Sequence, residues 1–249
     1  MKKQLFITIM AVLCVQAAFA ISDKIRLGVY VAPGVAWMQA EGKDLSKGPA
    51  AFGLNYGLNV EYYFKDKNYA FVTGLAGGME GGAVRDRDYF SVRTATGNSS
   101  VLEKYSVQNI SIPIYIKLKT NEIKRFHIFG QVGFEPVVTV YSRATFNQQI
   151  FREPYGTSTT NESFDISKEN VLSKSNDVSK VAPGFHYNYF DIRLGVIGGA
   201  EYDINDKTSV LFSVGYHNGF LNTISDTKID AKGDPVLMRN FLFTMGVMF

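Results

Sequence analysis

The sequence predicts an all-β protein, specifically an eight-stranded antiparallel up-and-down transmembrane β-barrel. Three observations lead to this fold class. Apolar residues alternate with small or polar ones in eight separate segments, which is the period of a strand. Each segment runs for about ten to fourteen residues, enough for a tilted strand to cross a bilayer. After Ala20 no uninterrupted apolar stretch reaches helical spanning length, so a membrane protein built from this chain has to be a closed barrel.

The chain opens with the features of a secretory signal peptide, assigned to residues 1–20. Two lysines precede an apolar run too short to span a bilayer, and a small-residue cleavage pattern ends at Ala20. Cys14, the only cysteine, raises the alternative of a lipoprotein signal, but Leu13 stands where such signals have a small residue. Cleavage after Ala20 leaves residues 21–249 as the barrel, with no cysteine for disulfides or metal binding.

The eight segments follow one another with one face that is almost entirely aliphatic or aromatic. The alternate positions carry glycine, small polar residues and charges. The apolar faces run from Leu27 to Trp37, Phe52 to Phe64, Tyr69 to Met79, Ile110 to Leu118, Phe126 to Val140, Phe190 to Ile204, Val210 to Tyr216 and Phe241 to Phe249. In outer-membrane barrels an aromatic last residue is the ending that assembly machinery reads. Phe241, Phe243 and Phe249 are therefore predicted to face lipid as a C-terminal signature, and outer-membrane lipid and this machinery are predicted partners.

The connections between segments alternate between short and long. The short ones are Lys65 to Asn68, Thr120 to Ile123 and Asn205 to Lys207, and the long ones are Gln39 to Ala51, Glu80 to Tyr105, Ser142 to His186 and Asn218 to Met238. This asymmetry is typical of bacterial outer-membrane barrels, with the turns and both termini in the periplasm. A soluble lipocalin-type barrel is the alternative, but its wetted outer face would need more charge than the polar positions here provide.

Three prolines interrupt the pattern. Pro33, Pro113 and Pro136 lie inside predicted strands, where each removes one donor from the ladder, and a closed barrel has no free edge at which to place them. The sequence therefore predicts β-bulges at these positions.

The inward positions predict a charge network that plugs the barrel, because buried charges must be paired and an eight-stranded barrel is filled by side chains. Its members are Arg26, Glu61, Lys117, Lys119, Glu135, Asp191, Arg193, Glu201 and Asp203. Counting residues from the connections predicts two opposed pairs, Glu135 with Arg193 and Lys117 with His127. The alternative role for such a network is a proton or ion path.

The stretch SIPIYIKLKTNEIKRFHIFGQVGFEP, residues 111–136, combines an Ile-Pro pair, a lysine-rich short turn and a strand with spaced glycines. It resembles the PorT-like outer-membrane β-barrel proteins of the Bacteroidota, and KIRLGVYVAPGVAW and FGLNYGLNVEYYF are similar to that family's first strands. The family often carries an acidic residue just before the Ile-Pro pair, where this chain has Asn109, Ile110 and Ser111. The resemblance implies an outer-membrane barrel and, through the family's namesake, a role in type IX protein secretion, although many relatives have no assigned role.

No catalytic, cofactor-binding or metal site is predicted. The enzymatic alternative is a lipid A-modifying barrel that uses histidine with serine and an acid. Its candidates are His127, His186 and His217, with Ser209 or Ser213 and the carboxylate of Asp191. No signature elbow surrounds either serine, and the glycine-rich stretch from Gly74 to Gly82 lacks the Gly-Lys-Ser/Thr ending of a phosphate loop. Part of the formal charge of +3 lies in the signal peptide, so no basic field predicts nucleic acid as a partner.

The connection from Ser142 to His186 is long enough to be functional. Its start, SRATFNQQIF, is predicted to prolong the fifth strand above the membrane, and Phe146, Ile150, Phe151 and Phe164 are available for a protein partner. The sequence thus predicts a small, plugged, non-enzymatic barrel that anchors or contributes surface to an outer-membrane assembly. A small-solute channel or transporter is the alternative.

Overall fold

The structure is a computed structural model, and it describes residues 24–40, 45–66, 68–86, 101–152, 156–165, 185–226 and 235–249. The predicted signal peptide lies outside these residues and stays a prediction. The strands are β1 (Ile25–Ala40), β2 (Leu45–Tyr63), β3 (Tyr69–Asp86), β4 (Val101–Ser111), β5 (Ile114–Lys119), β6 (Phe126–Arg152), β7 (Gly156–Asp165), β8 (Phe185–Tyr187), β9 (Phe190–Asp203), β10 (Ser209–Gly219), β11 (Ile224–Asp226) and β12 (Val236–Met248). The described part of the chain contains no helix long and apolar enough to span a bilayer.

Eight strand positions close into a ring of antiparallel neighbours. The ring runs through β1, β2, β3, the position shared by β4 and β5, then β6, β9, β10 and β12, and returns to β1. β12 closes it by pairing with β1 from Gly28 opposite Met248 to Ala40 opposite Val236. The predicted all-β, eight-stranded antiparallel fold is confirmed.

The outer face of the ring is apolar and the inner face carries most of the polar side chains. Large hydrophobic residues from every ring strand are exposed, and Phe52 reaches 72%. Phe243 and Phe249 are exposed on this face, and Phe241 is half-buried. The main chain of Phe249 is hydrogen-bonded to Leu27, with the amide of Phe249 donating to the Leu27 carbonyl at 2.7 Å. The surface that water-soluble proteins keep polar is therefore suited here to lipid.

Several strands extend further toward the long connections than the sequence indicated. β2 begins at Leu45, β3 ends at Asp86 and β4 begins at Val101, all within stretches that were predicted to be loops. The expected prolongation of the fifth predicted strand is confirmed, because β6 continues to Arg152. The loops that remain are correspondingly shorter, and a sheet continues past the end of the apolar outer band.

In this extension the polarity of the two faces is exchanged, with polar side chains outside and apolar ones inside. On β4 the side chains of Lys104, Ser106 and Gln108 are exposed, whereas Tyr105 and Val107 are buried. The next outward residue of β4, Ile110, is apolar and exposed. The outer face of this strand therefore changes from polar to apolar between Gln108 and Ile110. This change marks the edge of the apolar band on the side of the long connections.

The predicted bulges at the three prolines are wrong. The register is continuous through Pro33 opposite Leu54 and through Pro136 opposite Ile192, and β4 and β5 keep one register along β3 on either side of Pro113. A proline removes a donor but adds no residue, so the ladder can open locally while the residue count stays matched. The register shifts lie elsewhere, between β2 and β3 and at Gln108 and Asn109 between β4 and β6.

The turn between β5 and β6 is tighter and later than predicted. Ile123 and Phe126 bridge each other, and the two residues between them, Lys124 and Arg125, have φ values of 51° and 69°. Positive φ at both central residues is typical of a type I′ hairpin, which normally uses Asn and Gly. Holding these two L-residues in this region makes the turn a local site of strain.

Replacing Lys124→Asn together with Arg125→Gly is expected to raise the free energy of unfolding by about 1 kcal/mol, because both new residues tolerate positive φ. The measurement is urea unfolding in lipid vesicles, followed by the fluorescence of Trp37, the only tryptophan. The matched control is Asp206→Asn with Lys207→Gly in the β9–β10 turn, where the described residues have no positive φ. Lower stability in the first variant would contradict the strain argument.

Candidate functional site

The interior of the ring is filled in layers. We define the turn-side cluster as Arg26, Glu61, Lys117, Lys119 and Glu201, which lie near the short turns. The loop-side cluster is Glu80, Asp191 and Arg193, which lie further along their strands. An apolar group of buried residues closes the ring beyond it, next to the long connections. The members of each cluster come from inward positions of more than one strand, four strands in the turn-side cluster and two in the loop-side cluster, so the closed ring brings them together.

The turn-side cluster is organised around the ammonium of Lys117, which is 0% exposed. Its Nζ lies 2.5 Å from Glu61 Oε1 and also donates to Glu201 Oε1. Lys119 Nζ and Arg26 Nη1 contact the other oxygen of Glu201 at 3.0 and 3.3 Å. Glu201 therefore accepts from three cations on two strands, β1 and β5, and the five charges carry a formal excess of one positive charge.

Neutral groups make further contacts with the charged side chains of this cluster. The hydroxyl of Tyr63 donates to Glu61 Oε2 at 2.7 Å, and Arg26 Nη2 donates to Ser209 Oγ at 2.5 Å. The ring of Phe129 lies 4.4 Å from the ammonium of Lys117, close enough for a cation–π interaction. The charges are thus paired and enclosed, as buried charges must be.

The loop-side cluster is built on a fork between Arg193 and Glu80. Nη1 of Arg193 lies 2.9 Å from Glu80 Oε2, Nη2 donates to Oε1, and Nε lies 3.1 Å from Asp191 Oδ2. The side-chain amides of Asn109 and Asn240 donate to the same carboxylate at 2.8 and 3.0 Å. Such a bidentate, fully hydrogen-bonded pair is among the stronger ion-pair geometries.

Glu80 is the central acceptor of this cluster, and sequence reasoning missed it. Residue 80 was predicted to begin a loop, whereas β3 continues to Asp86. The signal was present, because Glu80 keeps the parity of the buried residues Val72 and Ala76 on the same strand. Extending the alternation past the glycines would have found it.

Between the two clusters lies a cavity of about 60 Å³, room for a few water molecules. Glu135 lies on its wall and accepts from Ser111 Oγ and, at 3.3 Å, from the hydroxyl of Tyr115. Nε2 of His217 lies 3.7 Å from Glu135 Oε2, longer than a hydrogen bond. The lining mixes polar side chains, such as Gln131, with apolar ones, such as Ile197 and Leu242.

The two predicted pairings have different outcomes. Glu135 is opposite Arg193 in the β6–β9 ladder, so the predicted register is confirmed, but the guanidinium of Arg193 pairs with Glu80 and Asp191 instead. The pairing of Lys117 with His127 is wrong, because Lys117 is opposite Gln131. The late turn at Lys124 and Arg125 moves the register of this hairpin without changing which face each residue occupies.

Asp203 lies apart from both clusters, although it was grouped with the lumen charges. Its Oδ2 lies 2.9 Å from Nε2 of His127, and its side chain is 27% exposed. Nδ1 of His127 lies 3.0 Å from the carbonyl of Thr120. This pair belongs to the rim beside the short turns.

The apolar group closes the interior on the side of the long connections. Its members are Ala36, Met38, Ala40, Leu45, Val84, Tyr105, Val107, Ala144, Tyr187, Ile224, Val236 and Met238. Tyr187 and Ile224 belong to the two-stranded sheet of β8 and β11, which is separate from the ring and was not expected from the sequence. Burial raises the pKa of the Tyr187 phenol above its ordinary value, so this side chain stays neutral.

The candidate catalytic residues do not form a relay. His217 is only 5% exposed and faces inward, and the described carboxylate nearest to its ring is that of Glu135. The predicted acid, Asp191, pairs with Arg193 instead. Among the described residues, neither Ser209 nor Ser213 hydrogen-bonds to a histidine. The side chain of His186 lies outside the described residues. The same part of the chain holds no group of three or more metal-ligating side chains.

A family model described as "Outer membrane protein beta-barrel domain" matches residues 18–225. No curated protein matches the chain. Similar solved structures include the outer membrane protein OprG from Pseudomonas aeruginosa, at 11% identity, with 91% of this chain and 96% of that chain covered and a TM-score of 0.40.

Neisserial surface protein A is similar at 11% identity, with 89% of this chain and 95% of that chain covered and a TM-score of 0.37. The outer membrane protease OmpT from Escherichia coli is similar at 10% identity, with 93% and 99% covered and a TM-score of 0.37.

Proposed function

Because the chain belongs to the outer membrane protein beta-barrel domain family, we propose that it is a plugged, non-enzymatic component of the bacterial outer membrane that presents a sheet to a protein partner. The short turns and both termini face the periplasm in this proposal, and the long connections face outward. Because this chain resembles the PorT-like proteins, the proposed partner belongs to a protein secretion or envelope assembly, and the family's namesake suggests type IX protein secretion.

The observation that carries the proposal is the sheet that β6 and β7 build beyond the ring. β6 pairs with β9 from Phe126 to Val138, and further along it pairs with β7 from Arg143 to Arg152. β7 pairs with β6, and no strand in the described part of the chain pairs with its second edge. An open edge is a template for pairing with another chain, and proteins normally shorten or cover such edges.

The composition of β7 supports the same use. Its sequence, GTSTTNESFD, is rich in threonine and contains no proline that would block pairing. β7 pairs with β6, and β6 is itself paired with β9 from Phe126 to Val138, so one continuous strand joins this edge to the ring. A strand that is already extended and paired on one side loses less conformational entropy when a partner binds than a free segment would.

Removing residues 157–179 is expected to leave the barrel folded and to abolish the crosslinked adduct between this chain and its partner in intact cells. The barrel should survive because, in the described part of the chain, β7 pairs with β6 alone, from Arg143 to Arg152, past the segment of β6 that pairs with β9. Folding is checked by the gel mobility shift between unheated and boiled samples, and the adduct by crosslinking followed by mass spectrometry.

The matched control is removal of residues 88–99, which leaves a two-residue link between the paired residues Asp86 and Val101. This control should retain the adduct. An unchanged set of adducts in the 157–179 deletion would exclude this sheet as the docking surface, and loss in both deletions would point to a surface shared by several loops.

The filled interior also predicts that the protein does not conduct small solutes. The two charge clusters and the apolar group fill the described interior at successive levels along the strands. We expect no single-channel current steps from the folded protein in a planar bilayer, with a porin added to the same bilayer as the positive control. Reproducible steps would favour the channel alternative over the proposed role.

A further inference from the structure

A groove on the outer wall of the ring lies close to the short turns. Its volume is about 380 Å³, and it runs between the start of β3, the end of β5 and the start of β6. Its lining residues are Asn68, Tyr69, Leu118, Lys119, Thr120, Ile128, Phe129 and Gly130. The groove lies within the apolar outer band, because Tyr69, Leu118 and Ile128 are among the exposed hydrophobic residues.

Two glycines face outward side by side at the edge of the groove: Gly130 lines the groove, and Gly198 lies next to it on β9, outside the lining. Gly130 on β6 is opposite Gly198 on β9. A Cβ added at Gly198 would meet no atom within 4 Å, and one added at Gly130 would meet only the Ile197 carbonyl oxygen, at 4.0 Å. The close packing of this chain therefore does not require glycine at either place. The neighbouring outward positions carry Val132 and Val196, so the pair interrupts an otherwise continuous apolar wall.

One end of the groove is polar, and the turn beyond this end carries two cations and the carboxylate of Glu122. Thr120 and Asn68 lie at this end, and Asn68 donates to Asn121 at 2.9 Å. The turn that follows carries Lys124 and Arg125, both exposed, with no salt bridge recorded among the described residues. The ammonium of Lys119 points away from the groove, toward Glu201 inside the ring. The free cations of the turn are thus Lys124 and Arg125.

We propose that this groove is a binding site for one anionic glycerophospholipid of the leaflet on the turn side. One acyl chain fills the space over Gly130 and Gly198, and the phosphate of the headgroup contacts Lys124 and Arg125. Moving an acyl chain from the surrounding lipid into the groove gives no hydrophobic free energy, because both surroundings are apolar. The affinity of the lipid therefore comes from van der Waals contact with the groove and from its headgroup. The charge complementarity selects anionic over zwitterionic lipids, since juxtamembrane cations attract anionic headgroups.

The test uses the full-length mature chain, folded into vesicles with equal amounts of dioleoyl phosphatidylglycerol and dioleoyl phosphatidylethanolamine. After extraction into detergent, the lipid retained by each barrel is counted by native mass spectrometry. The expected result is retention of one phosphatidylglycerol per chain, in preference to phosphatidylethanolamine by about tenfold.

Two sets of variants separate the parts of the site. Gly198→Leu adds a side chain at the edge of the groove, beside Gly130, where an added Cβ meets no atom within 4 Å, and it should lower retention of phosphatidylglycerol by about tenfold. The control for it is Val29→Leu, which enlarges an exposed residue on β1, across the ring. Lys124→Asn with Arg125→Asn removes the charges while keeping residues that tolerate positive φ, and it should abolish the preference between the two lipids. Its control is Lys65→Asn with Lys207→Asn in the other turns.

Each result bears on the proposal. Equal retention by the unchanged chain and by Gly198→Leu would overturn the groove, and a preference that survives loss of Lys124 and Arg125 would overturn the headgroup contact. No retained lipid in the unchanged chain would overturn both. The mobility shift on boiling is measured for every variant, and if Gly198→Leu fails to fold, Gly198→Ala and Gly130→Ala provide graded filling of the same space.

Discussion

Replacing Lys117→Met is expected to lower the free energy of unfolding by about 3–5 kcal/mol, the range for removing one partner of a buried ion pair. The substitution preserves an unbranched side chain of similar length but removes the one cation that, among the described residues, forms a salt bridge with Glu61. Glu201 retains Lys119 and Arg26, so the main loss falls on Glu61, which is left with the hydroxyl of Tyr63.

The measurement is urea unfolding in lipid vesicles, followed by Trp37 fluorescence, together with the temperature at which the gel mobility shift occurs. Lys207→Met, in an exposed turn, is the control and should change stability by less than about 0.5 kcal/mol. Adding Glu61→Gln to Lys117→Met should recover part of the loss, because it removes the unpaired charge. A Lys117→Met protein as stable as the original would mean that this pair makes no net contribution.

Arg193→Met is expected to have an effect of similar size, about 3–5 kcal/mol, because it leaves the carboxylates of Glu80 and Asp191 close together without a cation. Asn109 and Asn240 would still donate to Glu80, but neutral donors do not cancel the repulsion between two buried negative charges. The same unfolding measurement applies, with Arg85→Met as control, because Arg85 is exposed on β3.

A second readout separates charge from packing for Arg193. In Arg193→Met combined with Glu80→Gln, the excess negative charge falls by one, and stability should rise above that of Arg193→Met alone. If the double variant is less stable than Arg193→Met, the loss comes from packing around the side chain at position 193 and the charge argument does not hold.

The strand segments that could be predicted from the sequence are those whose outer side chains face lipid. From Ile110 to Leu118, for example, the outer positions are apolar because they meet lipid, and alternation was enough to place the strand. Further along, the outer face carries Lys104 and Ser106 and the inner face Tyr105, so the pattern reverses and the strand was mistaken for loop. Where β6 carries an extra residue, at Val140, the parity itself changes, and the periodic segment ended there.

The inward charges could be found from parity, but their partners could not. Lys117 and Glu201 are 84 residues apart, and whether they touch depends on every register between β5 and β9 and on the width of the ring. The pairing of Lys117 with His127 was wrong because it assumed where one turn begins. Glu80 was missed because a glycine-rich stretch hid the continuation of β3.

The turn-side cluster has a consequence for the order of assembly. Arg26 and Glu201 are separated by 175 residues, and Arg26 and Ser209 by 183, so these contacts join the first strand to strands near the end of the chain. An open sheet, in which β1 has not yet met β12, would expose Glu61 and Glu201 to lipid without all their cations, at a high energetic cost. Partly closed intermediates are therefore unfavourable, and closure should be a cooperative, all-or-none step. Contacts between residues so far apart in the chain also make that step slow. The last event in folding would then be the pairing of β1 with β12, which completes the barrel in the membrane.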